Sequence, residues 1–224
     1  MNILIIVGGT SNPSNSEMLA DAFARGAEEA GAQVSKVLLR DLMIDHFTIE
    51  CYDPTYPQEK DFSELRKKIE AADGLVFASP IWNFGVPGNL KNLIDRCGSF
   101  ALDHERRMKA TWNDMPFYLI FTGGSPMSAW TGLLRKTTSG VKIGLQYFGG
   151  AHAGTYFEPR CTPGKGTFGL VVDKRPESLA AIHEKGKAFA ALVRHHADTG
   201  MLPVMMRLKR KFYALGQTIQ QKLF

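Results

Sequence analysis

The stretch "GLVFASPIWNFGVPGNLKNLID", residues 74–95, changes character twice. Its first six residues (74–79) form a short, continuous apolar run, the pattern of a strand buried on both faces of a parallel sheet. Further on, Leu90, Leu93, Ile94 and Cys97 recur at helical spacing and mark one buried face. The loop between them sets Trp82 and Phe84 among Pro80, Gly85, Pro87 and Gly88. Large aromatics on such a loop have two readings. Either the loop is a packed strand-to-helix turn, or something flat stacks there.

The same alternation runs outward in both directions. "NILIIVG" (2–8) reads as a buried strand, followed by Leu19, Ala22, Phe23, Gly26, Ala27 and Ala30 at helical spacing, with Gly31 as the stop. "AQVSKVLL" (32–39) reads as a second strand, and a long connection with Pro54 and Pro57 leads to a short helix through Phe62, Leu65 and Ile69. "PFYLIFTG" (116–123) is the fourth strand, counting 74–79 as the third. Trp130, Leu133, Leu134, Thr137, Val141, Leu145 and Phe148 predict one long helix, weakened at Ser139-Gly140 and ended by Gly149-Gly150. "AHAGTYF" (151–157) is the fifth strand, and after a loop to Arg175 a last helix carries Leu179, Ile182, Gly186, Phe189 and Val193.

Five strands alternating with helices predict an α/β fold, a doubly wound parallel sheet with helices on both faces. Right-handed crossovers leave few arrangements, the order 2-1-3-4-5 among them. In such sheets ligands bind at the carboxyl ends of the strands near the switch point, which directs attention to the loops after strands one, three and four.

Composition is that of a globular chain: 44% hydrophobic and 22% charged residues over 224 positions. Cys51, Cys97 and Cys161 are widely spaced, with no CxxC pair, so neither a disulfide framework nor a metal site is expected. The initial apolar run has no basic leader and is too short to span a bilayer, and cytoplasm is the expected compartment. The net charge of +5 is carried by Arg207, Lys209, Arg210, Lys211 and Lys222, since residues 201–224 contain no Asp or Glu. The chain thus reads as a near-neutral domain, 1–200, with a basic appendage, 201–224.

The loop after strand one, "GGTSNPSNSEML" (8–19), fits neither the GxGxxG nor the GxxxxGK[ST] pattern. It offers Thr10, Ser11, Asn12, Ser14, Asn15 and Ser16 at a helix N-terminus, where outward amides and the helix dipole favour an anion. A helix cap needs one such residue, and this loop has six, which favours a phosphate monoester. No Lys or Arg lies in the loop, as suits a resident cofactor monophosphate better than a transferred phosphoryl group. After strand three, Pro80, Ile81, Trp82, Asn83, Phe84 and Gly85 present backbone and apolar groups to the edge of a planar heterocycle, with Gly85 and Gly88 permitting close approach or unusual angles. After strand four, Thr122, Gly123 and Gly124 supply a second close approach.

These residues resemble a known family. "PIWNFGVPGNLKNLIDRCGSF" (80–100) is similar to the second flavin loop of flavodoxin-like NAD(P)H-dependent FMN reductases, quinone reductases and azoreductases. Pro80, Trp82, Asn83, Phe84, Pro87, Leu90, Lys91 and Asp95 fit that pattern; "PSNSEML" resembles the family's phosphate loop and "TGG" its third loop. The likeness spans about residues 1–157. It departs in lacking an Arg in the first loop, in having Trp82 for the more usual Tyr, in lacking the cysteine cluster of iron–sulfur flavoproteins, and in the tail after residue 200.

The resemblance implies noncovalent FMN in a flavodoxin-like fold, NADH or NADPH as donor, and a two-step exchange. Nicotinamide would give hydride and leave, and a quinone, azo or nitro compound or free flavin would then take the electrons. It implies a homodimer, for which the apolar residues near Trp130 and Phe148 would supply an interface. No catalytic side chain and no metal is required, and no triad, GxSxG elbow or ligand cluster is seen in the sequence. A flavodoxin-like electron carrier without nicotinamide oxidation is the alternative.

Other features read more plainly. Lys91 and Asp95 form a helical surface pair, and His195-His196 favour a helix C-terminus rather than ligation. Arg160, Cys161 and Lys165 lie on the loop after strand five, either covering the flavin or simply connecting. In the tail, Met201, Met205, Leu208, Phe212, Leu215 and Ile219 form one helical stripe with Arg207, Lys209, Arg210 and Lys211 crowding its first half. The stripe either packs on the domain or a partner subunit, or makes weak contact with an anionic membrane surface. Nucleic acid is not expected, because the basic patch is short.

Overall fold

A computed structural model of the chain describes residues 1–103, 105, 109–164 and 167–223, with residues 214–223 by backbone alone. Five strands, β1 (Asn2–Val7), β2 (Gln33–Leu38), β3 (Gly74–Pro80), β4 (Pro116–Thr122) and β5 (Ala151–Glu158), form one parallel sheet in the order β2-β1-β3-β4-β5. This is the doubly wound, flavodoxin-like arrangement.

The continuous apolar runs are explained by two cores, one on each face of the sheet. Leu4, Ile6, Leu75, Phe77, Phe117, Leu119 and Phe121 enter one, while Ile3, Ile5, Val7, Val76, Ala78, Tyr118 and Ile120 enter the other. Helices α2 (Lys60–Glu70) and α3 (Gly88–Ala101) cover the first face, and α1 (Asn15–Glu29) and α7 (Pro176–Thr199) the second. The α1–α7 contact is unusually close. A methyl group on Gly26 would stand 2.0 Å from the His183 carbonyl oxygen, and one on Gly186 would stand 2.1 Å from that of Phe23. Only glycine permits those two backbones to touch.

The predicted long helix through Trp130–Phe148 is broken. The chain runs through α4 (Met127–Ala129), a π turn (Trp130–Leu134), α5 (Arg135–Thr137) and α6 (Ser139–Tyr147). Hydroxyls compete for its backbone carbonyls: Thr137 and Thr138 both donate to Leu134 O, at 3.1 and 2.8 Å, and Ser139 donates to Lys136 O. Trp130 and Phe148 themselves are core residues, while Met127, Leu133 and Ile143 near them are about half exposed. Trp130 stacks on Phe157 with centroids 4.6 Å apart, and Phe148 meets Trp112 edge-on at 5.4 Å.

The long connection before α2 is held by a residue with no obvious signature in the sequence. Arg96, fully buried on α3, donates to both Glu59 carboxylate oxygens, to Gln58 and to the Asp45 carbonyl, and lies 4.2 Å over the Phe62 ring. Lys91 and Asp95 form the expected surface pair at 2.6 Å.

Gly200, at φ +66, ends α7, and α8 (Val204–Leu223) follows. It docks through polar groups: Arg210 to Asp114 at 2.7 Å and to Gln146 O, and Tyr213 to Ile143 O. Met205, Leu208 and Phe212 point away, so the described part of the stripe does not pack on its own domain. The side chains of Leu215, Ile219 and Lys222 lie outside the described residues, as does Lys165. Among the described residues no helix is long and apolar enough to cross a membrane.

Candidate functional site

Strands β1, β3 and β4 deliver their following loops to one end of the sheet, where they meet around a cavity of 280 Å³. Larger cavities of 520 and 480 Å³ lie beside the strand starts and along β5. The smaller one sits at the switch point, where α/β sheets bind ligands. It is lined by Ser11, Ser14, Asn15 and Ser16 from the first loop, Pro80, Ile81 and Trp82 from the second, and Thr122, Gly123 and Gly124 from the third. Thr10, Asn12, Asn83, Phe84 and Gly85 belong to the same loops but stand outside the lining.

The first loop gathers hydroxyls and free amides at the start of α1. Ser14 caps α1, accepting from Glu17 N at 3.2 Å, and its Oγ is 2.8 Å from Ser16 Oγ. Helix geometry leaves the first-turn amides of Asn15 and Ser16 without an acceptor inside α1. Gly9 runs beneath the two hydroxyls, and a methyl group there would lie 2.7 Å from each. A cation does reach this loop, from a segment distant in sequence. Arg40, after β2, donates to Ser11 O at 2.9 Å and to Glu17 at 2.8 Å. Burial raises the Glu17 pKa, but Arg40 and Lys36 outweigh it and hold the carboxyl below its ordinary value. Glu17, the acid in the first turn of α1, is thereby paired with cations. The amides and hydroxyls present fit a phosphate monoester.

The second loop turns sharply. Trp82 N donates to Gly85 O and Gly85 N to Trp82 O, with Asn83 at φ +48 and Phe84 at φ +65 between them. Positive φ at both central residues is the type I′ turn, suited to Asn and strained for Phe. The unusual angles expected of Gly85 and Gly88 therefore fall on Asn83 and Phe84. The turn holds Trp82 and Phe84 out, 47% and 60% exposed, and Ile81 N anchors it to Thr122 O at 2.7 Å. In the third loop, Gly123 N bonds Glu158 O, and a methyl group on Gly124 would come within 3.0 Å of Thr162.

A fourth wall comes from the loop after β5: Cys161, Thr162, Phe168 and Gly169. Of these the sequence singled out only Cys161. Asn15 ties this loop down, donating to Gly169 O at 2.9 Å and accepting from Val171 N and Val172 N at 2.8 and 3.1 Å. Arg175 ties its other end, bonding Glu158, Pro159 O and Arg160 O. Burial and the neighbouring Glu158 push the Cys161 thiol up to about 12, so it stays protonated. No group of three or more His, Cys, Asp or Glu able to hold a metal occurs among the described residues.

Comparison with known proteins follows this geometry. A family model described as NADPH-dependent FMN reductase matches residues 1–142. An NADPH:quinone oxidoreductase of Arabidopsis thaliana is 35% identical over 94 residues, covering 42% of each chain. The chain spans 42–45% of the length of three curated relatives it matches, this one among them. Among solved structures, the NAD(P)H:quinone oxidoreductase from Methanothermobacter marburgensis superposes with a TM-score of 0.69 at 20% identity, covering 84% of this chain and 96% of that one. RosB, solved with 8-demethyl-8-formylriboflavin-5'-phosphate, superposes with a TM-score of 0.67 at 17% identity over 99% of this chain and 87% of its own. These two likenesses establish the fold.

Proposed function

The chain belongs to the family of NADPH-dependent FMN reductases, and on that premise we propose that it is an FMN-containing enzyme that oxidises NADH or NADPH and passes the electrons to a small-molecule acceptor. The observation that carries this reading is the convergence of the loops after β1, β3 and β4 on one cavity, one loop offering an anion cradle and the others apolar groups and close-approaching backbone. The chemistry supplied by bound FMN is hydride acceptance from the nicotinamide and delivery of two electrons to a quinone, an azo or nitro compound, or free flavin, in two successive exchanges at one open face.

The protein's own work is binding, orientation and exclusion of water. The Asn15 and Ser16 amides with the Ser11, Ser14 and Ser16 hydroxyls would hold the phosphate. Pro80, Ile81 and Trp82, fixed by the Asn83-Phe84-Gly85 turn, would flank one side of the ring, and Thr122, Gly123 and Gly124 the other. Cys161, Thr162 and Phe168 would close the back wall. No lining side chain is needed as a proton donor or nucleophile. The cavity is small beside the roughly 300–1,000 Å³ usual for ligand sites, so part of the flavin would remain uncovered for nicotinamide and acceptor.

We read residues 1–200 as the flavin-binding unit and 201–224 as an appended helix. We also propose a homodimer, formed around the exposed Trp82, Phe84, Met127 and Phe168. The deciding experiment is the absorption spectrum of the purified protein, followed by anaerobic addition of NADH or NADPH. A yellow protein bleached by either supports the enzyme. Flavin that binds but is not reduced supports the electron carrier, and colourless protein that takes up no FMN refutes both.

A further inference from the structure

The apolar stripe of α8 faces solvent as far as it is described, to Phe212. Arg210 and Tyr213 turn toward the domain, while Val204, Met205, Leu208 and Phe212 are 45–74% exposed. At 3.6 residues per turn these four share one face, with Arg207 and Lys211 along one border and Lys209 along the other. Ile143, beside Tyr213, and Leu133 on the neighbouring π turn are also about half exposed.

The elements around this stripe share one charge. Residues 115–157 and 199–224 contain no Asp or Glu, and they supply Arg135, Lys136, Lys142, Arg207, Lys209, Arg210, Lys211 and Lys222. Asp114, the acid that meets α8, is taken up by Arg210. The basic groups act on a common region: Arg135, Lys136 and Lys142 line the 480 Å³ cavity along β5 together with His152. Burial, with Lys142 and Lys209 adding to it, lowers the His152 pKa to about 4, so this imidazole adds no charge at neutral pH.

Three occupants could cover such a face. A second copy of the chain, in a two-fold interface, would set the same basic elements against each other with no acid to pair them. A nucleic acid would use the cations and leave Met205, Leu208 and Phe212 in water. An anionic bilayer meets both demands, placing the apolar face at the acyl boundary and the flanking cations among headgroup phosphates. We propose that α8, with Arg135, Lys136 and Lys142 beside it, is a docking surface for anionic phospholipid membranes. This inference is independent of the acceptor assigned above.

The test is co-sedimentation of the full-length protein with vesicles of mixed phosphatidylglycerol and phosphatidylcholine, and with phosphatidylcholine alone. Pelleting is expected with the anionic vesicles only, and high salt should abolish it. Each cation near an anionic surface is worth about fivefold in partitioning, so R207Q/K209Q/K211Q should bind about a hundredfold more weakly. L208S/F212S, with all charges kept, should also lose binding. Both variants should retain wild-type circular dichroism, since these side chains are exposed. The proposal is overturned if the wild type fails to pellet at low salt, pellets equally with both vesicles, or binds as well after either substitution. It is also overturned if L208S/F212S halves the solution mass, which would assign the stripe to a second copy.

Discussion

Replacing Ser16 by Asp separates the phosphate from the ring. Ser16 is 1% exposed, and its hydroxyl lies 2.8 Å from that of Ser14 at the start of α1. A phosphate held by the first-turn amides would come within about 4 Å of a carboxylate at this position; at an effective dielectric of about 20, two unit charges at that distance repel by about 4 kcal/mol. FMN affinity should therefore fall about a thousandfold, while riboflavin, which lacks the phosphate, should change little. The assay is fluorescence titration of apoprotein with each flavin. Ser16→Ala provides a milder companion: it removes a single hydrogen bond to a charged group, about 1.5–3 kcal/mol, and should weaken FMN about ten- to a hundredfold with the same selectivity. Equal losses of FMN and riboflavin in both variants would show that the phosphate lies elsewhere.

Other outcomes follow from the same contacts. Arg96 pulls the Glu59 carboxyl from 4.5 to about 2, so the stability this pair contributes is full above about pH 4.5 and is lost as pH falls through 2. Arg96→Met should cost about 3–5 kcal/mol in urea unfolding at pH 7, by stranding Glu59, and should flatten the acid dependence. Asn15→Ala removes three bonds to the loop at 169–172, and should weaken FMN and riboflavin alike while exposing that loop to limited proteolysis. Cys161→Ser should leave NAD(P)H oxidation unchanged, and Cys161 should resist iodoacetamide at pH 7.5, because its thiol is protonated far above that pH. Light scattering should show a dimer at micromolar concentration; a fully active monomer would rule it out.

What was legible in the sequence was what repeats locally. Runs such as 2–8 and 74–79 are apolar without interruption because alternate residues enter cores on opposite faces, and this feature gave the sheet and its ligand end. The three loops followed from the topology, and ten of their fifteen chosen residues line one cavity. What stayed hidden depends on partners far along the chain. Arg40 lies just past the second strand with no signature of its own, yet reaches Ser11 across 29 positions. Asn15 reads as a phosphate donor, yet its side chain is committed to residues more than 150 positions away. The break in the helix after β4 goes with hydroxyl bonds from Thr137, Thr138 and Ser139 to its backbone carbonyls, which no helical periodicity reports. Phe84 at positive φ also runs against its own preference, so glycine was the natural but mistaken choice for those angles.

The contacts of Gly26 with the His183 backbone and of Gly186 with the Phe23 backbone act as a length gauge for the site. α1 begins at the first loop of the candidate site, and α7 begins where the loop carrying Cys161, Thr162 and Phe168 ends. The spacing of these two helices thus sets how far the fourth wall stands from the first loop, and that spacing is fixed by bare backbone against bare backbone. Gly26 lies about 16 Å along α1 from Asn15, at about 1.5 Å per residue. A single added methyl at either glycine would wedge the helices apart and widen the pocket from that distance. The aperture of the site is calibrated by two side chains that are absent.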